Sequence, residues 1–252
     1  MEEIKFDDVC LTIDNEIANI IITREKSLNA LNSKVLNQLY HCFDIVEKEK
    51  KARVIVVSGK GTKAFAAGAD LKEIAEKECI DDLREYYAAF DMLYTKMSKI
   101  SSPIIAKVDG YAFGGGCLLA LAADLIVASK DAVFAQPEIN FGFTGGAALL
   151  PRLVGKHKAA EITMLAANIK ADEAYRLNIV NKVVEKDALD DAVNKMCDTL
   201  LKKDPFALGM IKKIIRCTMD TGITAANNYE NECSAVCLAR AESKEAILNF
   251  IK

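Results

Sequence analysis

Residues 109–124, DGYAFGGGCLLALAAD, leave the chain few local geometries. The apolar run 103–108 (PIIAKV) has the composition of a buried strand and stops at Asp109-Gly110. Three consecutive glycines follow, and an apolar run of helical composition begins at Cys117. This order predicts a strand, a sharp turn and a buried helix. Glycines without side chains let a ligand come close to the backbone, and the first turn of a helix leaves N–H groups without intrahelical partners. Such donors, at the positive end of a helix, suit an oxygen that gains negative charge during a reaction. Taken alone, the triplet favours a plain tight turn beneath a helix. The functional reading depends on what the other segments supply.

Two of them supply matching parts. The segment 63–74, KAFAAGADLKEI, is expected to be a loop of small residues entering a helix near Asp70, and its backbone N–H groups, that of Ala69 among them, offer a second donor site. By itself it is more simply a helix start capped by Asp70. Further on, Glu138 sits among Phe134, Ile139, Phe141 and Phe143, in a segment broken by glycines 142, 145 and 146. A carboxylate in such company would be desolvated and its pKa raised, as a general acid or base working near neutral pH requires. An exposed glutamate at a proline turn fits the composition equally well.

Elsewhere, strands are expected at 9–13, 17–23, 53–58, 125–128, 133–134 and 180–184. A helix capped by Asn32 or Ser33 places Val35, Leu36, Leu39, Phe43 and Val46 on one face. Residues 81–99 form a longer amphipathic helix whose Tyr86, Tyr87, Phe90 and Tyr94 read as a core stripe. Helices also fit 188–202, 205–218, 223–240 and 244–251. Strands alternating with helices argue an α/β fold without clean repeats. The composition shift near residue 190 divides the chain into 1–190 and a helical 191–252.

Composition removes several functions. A formal charge of -3 and a pI near 5.6 give no general basic field, so nucleic acid is not an expected partner. No apolar run reaches the length of a membrane span, and the start MEEIKFDDV lacks the parts of a signal peptide, which makes the cytoplasm the expected location. The eight cysteines form no C-x-x-C pair and only two histidines, His41 and His157, exist to assist them. No metal site is expected, and the thiols are expected to be reduced and mostly buried.

Five segments in order carry a resemblance over nearly the whole chain: 24–31 (REKSLNAL), 64–74 (AFAAGADLKEI), 109–120 (DGYAFGGGCLLA), 136–142 (QPEINFG) and 152–161 (RLVGKHKAAE). Together they resemble the crotonase, or enoyl-CoA hydratase/isomerase, family. The resemblance implies a spiral of ββα units with a C-terminal helical region that assembles homotrimers, often paired into hexamers. It implies a substrate carried as a coenzyme A thioester and no further cofactor. It places the two oxyanion donors on the N–H groups of Ala69 and Gly115, and CoA contacts on Lys26, Ala67, Ala69, Asp70, Leu71, Lys72, Gly114 and Gly115.

Hydratases of the family carry two glutamates across the pocket. The second matches Glu138, whereas the first falls on Leu118, which can neither orient water nor move a proton. Hydration is therefore expected to be weak or absent. A single base that takes a proton from C2 or C4 and returns it to the other carbon would shift a double bond, and the family's enoyl-CoA isomerases have this arrangement. Decarboxylation of an acyl-CoA is the alternative, with Lys72, Tyr86, Tyr87 and Thr144 as possible holders of the leaving carboxylate. A CoA-ester binding protein without catalysis is a third reading. A serine or cysteine hydrolase ranks below it, since neither histidine has an obvious nucleophile beside it.

Overall fold

The computed structural model describes residues 1–251. Three antiparallel strands open the chain: β1 (Glu2–Lys5), β2 (Val9–Asp14) and β3 (Ile17–Ile22). Helix α1 (Ser33–Glu49) starts at Asn32, whose side-chain oxygen accepts from the Val35 N–H at 2.8 Å, and buries the apolar face expected of it. Strands β4 (Val54–Gly59) and β5 (Ala64–Ala66) precede α2 (Leu71–Ala75) and α3 (Ile80–Lys99). Next, β6 (Ile104–Val108) and β7 (Tyr111–Phe113) lead into α4 (Gly115–Leu121). After β8 (Leu125–Ser129) and β9 (Val133–Ala135), a 3-10 turn at Pro137–Phe141 leads to α5 (Leu150–Val154) and α6 (Lys156–Met164). Then follow β10 (Ile169–Lys170), α7 (Ala171–Arg176) and β11 (Lys182–Val184). Four helices end the chain: α8 (Leu189–Leu201), α9 (Pro205–Asp220), α10 (Ile223–Ala239) and α11 (Ala241–Phe250).

After β3, the strand pairs β4/β5, β6/β7 and β8/β9 each give their first strand to one sheet and their second to another. The larger sheet runs β1-β2-β3-β4-β6-β8-β11 and is parallel from β3 onward; the smaller runs β10-β9-β7-β5. The chain therefore advances as a spiral. Strand β4 shows why its sequence, VIVVSG, does not alternate with polar residues. Ile55 and Val57 join the main core with Leu36 and Phe43 of α1, while Val54 and Val56 pack with Leu189, Val193 and Cys197 of α8. A strand covered on both faces needs apolar side chains on both.

The differences from the sequence expectations have local causes. Strands β5, β7 and β10, of two or three residues, are too short for a period-two pattern and exist because neighbours pair with them. β1 is a charged edge strand, EEIK. Helix α4 starts at Gly115 rather than Cys117. β11 starts later than expected because the Ile179 and Val180 N–H groups both donate to Ala174 O and close α7. Among the described residues the cysteines are free: Cys42, Cys117, Cys197 and Cys233 are buried, and Cys79 is exposed. No described helix is long and apolar enough to cross a membrane.

Candidate active site

The glycine turn is built by its neighbours. Gly114 donates its N–H to Ala135 O of β9 at 2.9 Å and holds φ +52° and ψ -123°, a conformation that a side chain would strain. Gly116 lies against β5 so closely that a β-carbon on it would stand 2.1 Å from Ala66 O. This contact brings the start of α4 beside the segment that leaves β5.

That segment is itself pinned. Leu31 donates to Gly68 O at 2.8 Å and accepts from the Asp70 N–H at 3.2 Å, forming a parallel bridge opposite Ala69. In such a bridge the residue between the two bonded groups directs its own N–H to the other side. Gly115 is close by: a β-carbon on it would be 3.7 Å from Ala69 N. Neither the Ala69 nor the Gly115 N–H donates to a protein group among the described residues. Ala69 and Gly115 thus border one space.

Tyr86 fixes the loop from below. The residue is 1% exposed, and its hydroxyl donates to Leu31 O at 2.6 Å and accepts from the Asp70 N–H at 3.3 Å. Replacing Tyr86 with Phe removes both bonds and leaves Leu31 O and the Asp70 N–H only their bond to each other, and is expected to cost about 0.5–1.5 kcal/mol of stability. Urea unfolding of the variant measures the loss, and an unchanged midpoint would show that the bond does not hold the loop.

Glu138, on the 3-10 turn begun by Pro137, is 7% exposed. Burial raises its pKa. Turned with its nitrogen toward the carboxylate, the Gln136 amide donates to the two Glu138 oxygens at 3.2 and 3.3 Å. The carboxylate, both donor residues and Leu118 line one cavity of about 140 Å³. A second cavity of about 270 Å³ adjoins it, sharing Ala69, Glu138 and Phe143 and adding Ala67, Leu71 and Gly114.

The other candidates fall elsewhere. Asp70 lines neither cavity; its carboxylate caps α2 through the Lys72 N–H and pairs with Arg24 at 2.9 Å, which holds its pKa down against the effect of burial. Lys72 is exposed on α2 and outside both linings. Lys26 lines a separate crevice of about 360 Å³ with Arg24 and Lys60. Of the groups considered for holding a leaving carboxylate, Tyr86 is committed to Leu31, and only Tyr87 and Thr144 reach the inner cavity. His41 and His157 are exposed and line neither cavity.

The expectation that the α3 aromatics are core residues holds for Tyr86 and Phe90, which join the main core, and is corrected for Tyr87, which is exposed. Tyr87, Phe90 and Tyr94 form a wall of the inner cavity. Asp91, on the same wall, went unrecognised. The signal was available, since Tyr87, Asp91 and Tyr94 are spaced four and three residues apart and share one helix face.

A ββα spiral whose cavity is lined by Ala69, Gly115 and a shielded carboxylate fits a class of enzyme that works on an activated carbonyl. The family profile described as enoyl-CoA hydratase/isomerase matches residues 12–252, and the chain belongs to that family. It is 34% identical to the short-chain-enoyl-CoA hydratase of Clostridium acetobutylicum over 251 residues, covering 98% of this chain and 96% of the relative. It is also 34% identical to a carnitinyl-CoA dehydratase of Salmonella enteritidis over 222 residues, 87% of this chain and 84% of the relative. The crystal structure of a Mycobacterium smegmatis enoyl-CoA hydratase superposes with a TM-score of 0.94 at 28% identity, covering 98% and 96% of the two chains.

Proposed function

We propose that the protein moves a double bond in an enoyl-CoA through a thioester enolate. The N–H groups of Ala69 and Gly115 donate to the thioester oxygen, and Glu138 takes a proton from C2 or C4 and returns it to the other carbon. What supports this reading is that Ala69, Gly115, the buried Glu138 and Leu118 line one cavity, and that the two N–H groups have no protein acceptor among the described residues. An apolar wall keeps out the water that would otherwise add. Lys26 and Lys60 suit the phosphates of the nucleotide half of CoA. Exposed Ile211, Ile215, Ile223 and Leu238 on the C-terminal helices support assembly of residues 191–252 into a homotrimer or a pair of trimers.

The test is incubation with a 3-enoyl-CoA while the absorbance of the conjugated thioester is followed. An increase is expected, and its absence would remove the isomerase reading.

Hydration is the second reading, favoured by the names of the relatives: the short-chain-enoyl-CoA hydratase, the carnitinyl-CoA dehydratase and a crotonyl-CoA hydratase of Syntrophomonas wolfei, 32% identical to this chain. Leu118→Glu separates the two. Restoring a carboxylate opposite Glu138 is expected to raise hydration of crotonyl-CoA by about 10²-fold or more. Rapid hydration by the unaltered chain, with no gain in the variant, would favour hydratase over isomerase.

A further inference from the structure

The inner cavity has a charge pattern that the proton-transfer chemistry does not use. Beside Glu138 it holds a second carboxylate, Asp91, exposed on α3, together with Tyr87, Phe90, Tyr94, Phe143 and Thr144. Among the described residues, none that lines it is Lys, Arg or His. The cations nearest Asp91 along α3 are engaged elsewhere: Arg84 pairs with Asp81 at 2.8 Å, and Lys96 with Asp44 and Glu47 at 2.8 and 2.6 Å. Asp91 therefore brings an uncompensated negative charge to a wall of aromatic rings.

Those rings are held in place. Tyr94 donates its hydroxyl to Gly115 O at 3.1 Å, and the Phe90 ring lies 5.8 Å from that of Tyr94 and 6.4 Å from that of Tyr87. Aromatic faces attract cations through the ring quadrupole, and a carboxylate beside them adds direct attraction. A carboxylate-bearing tail would instead meet two like charges and no cation.

We propose that the acyl group taken by this cavity ends in a cation, an ammonium or quaternary ammonium, held by Asp91 and the faces of the surrounding rings. The proposal rests on the reading that this cavity receives the acyl part of a CoA thioester. It makes Asp91 a specificity-determining residue. It also sets the site against dicarboxylic half-thioesters, the substrates that a decarboxylase would need.

Calorimetric titration of the 252-residue chain with three saturated thioesters tests this without turnover: butanoyl-CoA, butanoyl-CoA carrying a trimethylammonium group on C4, and glutaryl-CoA. The cationic thioester is expected to bind about tenfold or more tightly than the neutral one, and the neutral one more tightly than the anionic one. Asp91→Asn, checked for an unchanged circular dichroism spectrum, is expected to remove most of the cationic preference. Equal affinities in the unaltered chain, or a preference that survives Asp91→Asn, would overturn the assignment while leaving the thioester site intact. Failure of all three to bind would overturn it together with the reading on which it rests.

Discussion

Glu138→Gln is expected to lower turnover of a 3-enoyl-CoA by about 10²–10⁴-fold, with KM little changed. The substitution keeps the size and polarity of the side chain and removes its ability to accept a proton. The pH dependence follows from burial. Because desolvation raises the Glu138 pKa, the folded protein holds this proton to a higher pH than the unfolded chain does. As the base must be ionised, the acidic limb of kcat/KM is expected above the ordinary glutamate range.

Stability moves the other way. The raised pKa favours the folded state fully below the unfolded value, and this contribution is lost as pH rises through the folded value. Above the folded value the ionised, buried carboxylate is thus a destabilising group, and Glu138→Gln is expected to raise Tm there. The gain should vanish as pH falls below the ordinary glutamate value. Thermal unfolding across that range checks the sign; a variant less stable above the folded value would mean that the bonds to Gln136 outweigh desolvation.

Gly116→Ala is expected to be the most damaging small change in the glycine triplet. The added β-carbon would stand 2.1 Å from Ala66 O and 2.7 Å from its carbonyl carbon, both backbone atoms that cannot swing aside. Relief requires α4 and the end of β5 to separate, and such overpacking costs about 1–3 kcal/mol or more. The same movement draws the Gly115 N–H away from that of Ala69. Loss of one donor to a developing oxyanion lowers kcat by about 10²–10³-fold, so kcat should fall with little change in substrate affinity. Full activity in a well-folded Gly116→Ala protein would separate the donors from the chemistry.

The helices and long strands were legible in the sequence because their patterns are local. The apolar face of α1 repeats at helical spacing, and the strand before Asp109 is apolar because it is covered on both faces. The glycine triplet announced a turn, but not that Tyr111–Phe113 before it is a strand: three residues hold no periodicity, and β7 exists through its parallel pairing with β5 and β9. The site was legible as separate parts. Ala69, Gly115 and Glu138 each came from a recognisable segment, whereas their convergence depends on the Leu31 bridge and the Gly116 contact, which join residues far apart in sequence. Asp91 was hidden for another reason. An acid in an amphipathic helix is ordinarily a solvated residue, and only the fold shows that its face of α3 turns toward Leu118 and Glu138.

A crystal structure of the protein with an unreactive thioester such as butanoyl-CoA would test the central claim most directly. The thioester oxygen is expected to lie about 2.7–3.1 Å from the backbone nitrogens of both Ala69 and Gly115, with C2 facing the Glu138 carboxylate. A thioester carbonyl bound away from these two nitrogens, with Glu138 remote from C2, would contradict it.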